Sequence, residues 1–178
     1  SDLKSSLTAE EFANYNAFVE RGGNLIVLGE PKRQAYMNPL VEVLGLRFVD
    51  GILVAPSKQY LDDIIAARIT EGALNASLYF NQLIRRGYTV ITPSACAVEV
   101  VDTTKGFKIS EVLATNPQGS WIEYETTDFL NEKSTINPKI GEVEKSNSVM
   151  FYLSRSIKDK PEQRIFVIGD ADCLSVKE

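Results

Sequence analysis

The stretch RIFVIGDADCLS, residues 164–175, decides how this chain is read. Its apolar run, residues 165–168, closes on Gly169, and Asp170 and Asp172 follow with one residue between them. An apolar run without polar alternation is the form of a strand covered on both faces. The loop after such a strand opens at the carboxyl edge of a sheet, where open α/β folds place their ligands. Two readings of the aspartates stand side by side. They hold a divalent metal, or they cap the next helix, which would begin over residues 174–176.

The same form recurs upstream. Residues 7–12, LTAEEF, carry Thr8 as a helix cap with Glu11 three residues on, and Leu7 and Phe12 can staple the entry. Phe12, Tyr15, Phe18 and Val19 then share one face and Gly22-Gly23 follows, so the spacing predicts a helix over 8–21. Residues 24–29 read as a short buried strand closed by Gly29. After a polar loop, residues 35–44 read as a helix stopped by Gly45. Residues 48–54 form a strand candidate that the pair Asp50-Gly51 can split as a turn. Periodicity leaves 64–69 open between strand and helix. Residues 73–85 alternate as a helix with Arg85, Arg86 and Gly87 at its end, and 88–93 read as a strand.

Beyond residue 97 the chain turns β-rich, with segments at 97–101, 110–115 and 121–124. A long surface excursion is expected over 125–148, and closing strands at 149–153 and 165–168. Helices alternating with short buried strands predict one α/β domain over 1–178, built in three layers on a mainly parallel sheet, with the β-rich excursion added.

Composition removes whole classes of chemistry. The 178 residues contain no histidine, which excludes Ser-His-Asp and Cys-His catalysis and imidazole metal ligation. A net charge of −5 opposes a nucleic-acid partner, which clustered Lys and Arg would have to serve. The two cysteines, Cys96 and Cys173, lie in no metal-binding spacing, and a disulfide between them stays open beside two buried thiols. No run reaches the roughly 20 apolar residues of a membrane span. The chain begins Ser-Asp without methionine, and we expect the native polypeptide to continue on both sides into hydrophobic helices.

The candidate site residues sit at strand ends. Asp170 and Asp172, with Glu30 after the first strand, are the set a metal-dependent hydrolase would use. Phosphatases of the haloacid dehalogenase kind also place Asp-x-Asp after an apolar strand, but there the pair opens the fold, whereas six residues follow Asp172 here. Lys32 and Arg33, in the loop after the first strand, offer two cations to an anionic group, without the glycines of a P-loop or dinucleotide fingerprint. Ser94 lies in the polar loop Pro93-Ser94-Ala95-Cys96, which lacks the flanking glycines of a nucleophile elbow. Arg155 follows the strand at 149–153, and the short charged link back to Arg164 suggests a guanidinium within reach of Asp170. Arg155, Gly169 and Asp170 are therefore expected to act through folding.

Taken in order, Leu7-Thr8-Ala9-Glu10-Glu11, Arg21-Gly22-Gly23-Asn24-Leu25, Met37-Asn38-Pro39-Leu40, Leu113-Ala114-Thr115, Ser120-Trp121, Leu153-Ser154-Arg155 and Gly169-Asp170-Ala171-Asp172 resemble the auxiliary component of bacterial ABC transporters related to gliding-motility proteins. The resemblance implies a flavodoxin-like or glutamine-amidotransferase-like domain facing the periplasm or cell exterior. It implies flanking transmembrane helices, partners among the transporter's permease and ATPase subunits, and neither cofactor nor metal. It also implies no enzyme, since the Cys-His-Glu triad of amidotransferases cannot exist without histidine, and it leaves a scaffold for a partner protein, a glycan or a peptide. The alternatives are a metal-dependent hydrolase using Asp170 and Asp172, and a carbohydrate-binding module.

Overall fold

The computed structural model describes residues 5–174. Its first helix, α1 (Ala9–Glu20), begins as its sequence dictates. The Thr8 hydroxyl accepts from the Glu11 N–H, and the Glu11 carboxylate accepts from the Thr8 N–H at 2.8 Å, which satisfies two of the free donors at a helix start. Strand β1 (Leu25–Leu28) follows, then α2 (Gln34–Glu42), stopped before Gly45. The candidate strand at 48–54 is split by the Asp50-Gly51 turn into β2 (Leu46–Phe48) and β3 (Ile52–Val54). Gly51 adopts φ 95°, a conformation costly to a residue with a Cβ.

The segment at 64–69 is a strand, β4 (Ile64–Ile69), and alternate residues Ile65, Ala67 and Ile69 are buried. The helix expected over 73–85 is broken into a 3₁₀ turn (Glu71–Asn75) and a short α3 (Phe80–Arg85). Between them Ser77 turns its hydroxyl to the Tyr79 N–H, the local competition through which serine interrupts helices. The remaining strands are β5 (Thr89–Pro93), β6 (Val98–Val100), β7 (Lys108–Ala114), β8 (Trp121–Glu123), β9 (Ser148–Arg155) and β10 (Gln163–Ile168). A 3₁₀ turn, Asp172–Leu174, ends the described chain, and a helix start over 174–176 lies outside the described residues.

The expected three-layer, mainly parallel sheet is overturned by the pairing. Six strands form one sheet in the order β1-β10-β9-β7-β4-β5, with two further ribbons, β2-β6 and β3-β8. Among the described residues β1 and β10 make the single parallel pair, and every other pairing is antiparallel. For β9 and β10 the reason is connection length. A parallel return needs a crossover of a dozen or more residues, usually a helix, whereas a short link such as that between β9 and β10 folds back as a hairpin. The αβ alternation of the first half therefore does not extend into a doubly wound sheet, and flavodoxin-like topology is excluded.

Two cores form. Val19 of α1 and Met37, Leu40 and Val41 of α2 pack on Val27, Leu153, Ile165 and Val167. Ile65, Ala67, Val112, Ile122 and Val149 form the second, with Phe80 and Ile84 of α3 against it. Arg155 and Gln163, opposite each other in the β9-β10 register, fasten the end of α1. Gln163, fully buried, donates to the carbonyls of Val19 at 3.0 Å and Gly23 at 2.7 Å, and accepts from Arg155 Nε at 2.7 Å. Arg155 also donates to the Val19 carbonyl and lies 4.4 Å over the Phe107 ring. Arg155 thus joins β9 to the end of α1, and its partner is not Asp170. Antiparallel pairing places it beside the start of β10, about 20 Å of strand from Gly169 at roughly 3.3 Å per residue.

Candidate functional site

The loops after β1 and β10 leave the sheet side by side, because Leu28 pairs with Ile168 and the Gly29 N–H donates to the Ile168 carbonyl at 2.7 Å. Gly169 must be glycine for a steric reason. A Cβ there would sit 1.8 Å from the Cys96 carbonyl oxygen, and the Cys96 N–H donates to the Gly169 carbonyl at 2.8 Å. The β5-β6 connection is in this way locked onto the end of β10.

Asp170 is 1% exposed. Its Oδ1 accepts the Asp172 N–H at 2.7 Å, the capping arrangement, while Oδ2 is buried with no hydrogen-bond partner among the described residues. Burial pushes its pKa up to about 6; backbone N–H groups of Asp172 and Cys173 oppose the rise, and the charges of Asp172 and Glu30 add to it. Glu30 and Asp172 thus lie near enough to Asp170 for their charges to act on it. Among the described residues, however, no three His, Cys, Asp or Glu side chains are gathered as a metal site requires. Burial raises both thiols, Cys96 to about 12 and Cys173 to about 11, and the two are free in this structure.

Ser94 is held elsewhere. It takes a left-handed φ of 49°, and its hydroxyl donates to Asp63 Oδ2 while its N–H donates to the Asp63 carbonyl at 2.9 Å. This pins the end of β5 to the start of β4. Arg33 sits at the N-terminus of α2, where its carbonyl accepts from Tyr36 and Met37.

Lys32 leads to the open site. It too takes a left-handed backbone, φ 67°, a conformation that costs energy in a residue with a side chain, and it lines a cleft of about 260 Å³. The rest of the lining is Gln34, Asp50, Gly51, Ile52, Glu123, Tyr124, Thr126 and Thr127. The β3-β8 register, Ile52 opposite Glu123, brings the Asp50-Gly51 turn beside the segment 124–127. Gln34 donates to the carbonyls of Val49 and Gly51, tying α2 to the same turn.

The cleft wall is built on two buried carboxylates. Glu123 accepts from Trp121 Nε1 and from the N–H groups of Glu125 and Thr126 at 3.0 and 2.9 Å. Glu142 accepts the N–H of Tyr124 at 3.0 Å and of Asn137 at 2.6 Å, so one side chain ties the start of the expected excursion to its middle. A second hollow of about 490 Å³, lined by Asn38, Arg47, Glu99 and others, shares Asp50 and Tyr124 with the first. Tyr124, 44% exposed, stands between them.

Sequence reasoning had found Lys32 here and missed Asp50, Tyr124, Thr126 and Thr127. The Asp50-Gly51 turn was visible; its pairing with a segment some seventy residues later was not. No protein-family model matches the chain, and no curated protein matches it.

Proposed function

We propose that this chain is a non-catalytic binding domain of a bacterial ABC-transporter accessory protein, held outside the cytoplasmic membrane by flanking helices and working with permease and ATPase subunits. Its ligand site is the cleft around Tyr124. The observation that carries the binding part is the chemistry of that cleft: an aromatic face, a side-chain amide, two threonines, two carboxylates and one ammonium on walls fixed by buried hydrogen bonds. Such a mixture orients a polyhydroxylated or peptide ligand by hydrogen bonds with the ring as a platform. Glu123 is engaged by its own loop, which suits a wall more than an acid or base. The transporter assignment rests on the sequence resemblance alone.

A thermal-shift series tests the reading. A panel of neutral saccharides and short peptides should raise the melting temperature without added metal, and Tyr124→Ala should abolish the rise. If instead millimolar Mg²⁺, Mn²⁺ or Ca²⁺ raised it by several degrees and Asp172→Ala removed that gain, a metal-dependent hydrolase would replace this reading. Co-purification of the native protein with an ABC permease tests the partner assignment.

A further inference from the structure

We infer that the face formed by α3 and its flanking turns docks on an anionic lipid surface, an inference independent of the cleft and of the transporter reading. Residues 72–98 contain Arg85 and Arg86 and no carboxylate, in a chain whose net charge is −5; Glu71 and Glu99 border the stretch. The fold turns the middle of this stretch, residues 78–91, largely outward, while Ala73 and residues 95–98 are buried. Phe80 and Ile84 face the second core, which leaves Tyr79, Leu83 and Arg86, at i, i+4 and i+7, together on the open side. Leu78 is 80% exposed and Tyr79 89%, and Tyr88 is more than half exposed. The helix end is closed by the N–H groups of Gly87 and Tyr88 on the carbonyls of Ile84 and Leu83, which sets Tyr88 next to the two arginines. Lys108 reaches the same region, donating to Asn75 Oδ1 at 3.0 Å.

The shape and charge select the occupant. Side chains as exposed as Leu78 and Tyr79 stand clear of the fold, which suits insertion between headgroups. Tyrosine places an apolar ring at the acyl boundary with its hydroxyl in water, and arginine beside it meets lipid phosphate. A second copy is disfavoured, because a two-fold contact through this face would bring four arginines together with no carboxylate from residues 72–98 between them.

Vesicle co-sedimentation of the chain tests this, with vesicles of phosphatidylcholine alone and of equal parts phosphatidylcholine and phosphatidylglycerol. Binding to the anionic vesicles only, weakened by salt, is expected. Replacing both arginines (Arg85→Gln with Arg86→Gln) should lower partitioning on the order of 30-fold, and Leu78→Ser with Tyr79→Ser should abolish it, with unchanged circular dichroism and melting temperature for these exposed positions. Binding to neither vesicle, equal binding to both, or wild-type binding by the variants would overturn the proposal. So would a concentration-dependent dimer that Leu78→Ser with Tyr79→Ser dissociates, or a protein ligand whose binding those substitutions abolish, if vesicle binding were absent.

Discussion

Replacing Asp170 by asparagine should change how stability depends on pH, in a direction fixed by the burial of that carboxyl. Its pKa is raised from 3.8 to about 6, chiefly by desolvation, so the folded state prefers the protonated acid. The stability this group contributes is fully present below its unfolded pKa, near 3.8, and is lost as pH rises through about 6. Just over two pKa units at 1.36 kcal/mol each come to about 3 kcal/mol. Asparagine stays neutral and keeps an oxygen for the Asp172 N–H, so it escapes this loss. The difference in unfolding free energy, variant minus wild type, should therefore grow by about 3 kcal/mol between pH 3 and pH 7 and then level off. Urea denaturation at several pH values measures it. At an m-value near 2 kcal/mol per molar, the relative midpoint should move by roughly 1.5 M. Parallel curves for the two proteins across this range would refute the reasoning, because they would mean that Asp170 ionises in the fold as freely as in the unfolded chain.

Three further substitutions test how the scaffold holds the site. Gly169→Ala drives a Cβ into the Cys96 carbonyl and should cost roughly 2–3 kcal/mol, read from the denaturation midpoint. Gln163→Ala strips the carbonyls of Val19 and Gly23 and the Arg155 Nε of a partner; a loss of about 2–4 kcal/mol is expected, with faster amide exchange in the last turn of α1. Glu142→Gln opposes an amide N–H₂ to a backbone N–H at one of its two acceptor positions. It should cost about 1–3 kcal/mol and open residues 125–147 to limited proteolysis, whereas wild-type resistance there would show that Glu142 does not organise the segment.

What the sequence made legible was local. The Thr8 capping box, the glycine stops and the apolar runs at 25–28 and 165–168 specify α1, β1 and β10 through contacts a few residues apart, and each formed near the expected place. Strand partnership is not local. Nothing in the run 149–155 states that it pairs antiparallel to 163–168, and reading it otherwise sent Arg155 to the wrong end of the sheet. The single helix read over 73–85 failed because hydrophobic spacing persisted through Ser77 while the backbone turned aside. The same limit hid the cleft: Lys32 lay in a recognisable strand-end loop, but Asp50 and Tyr124 meet through the β3-β8 ribbon, and Glu142, which fastens that wall, reads in the sequence as one more surface charge.

We propose that the cleft around Tyr124 binds a ligand and does no chemistry on it. The most direct measurement is a ¹H–¹⁵N correlation titration of the labelled chain with neutral oligosaccharides and short peptides, followed to saturation and then checked for product in the same tube. At least one of them should shift the amides of Lys32, Gly51, Ile52 and residues 124–127, Tyr124→Ala should remove those shifts, and the ligand should be recovered unchanged. Shifts centred on Glu30 and Asp170 that require a divalent metal, with cleaved ligand in the tube, would contradict the proposal.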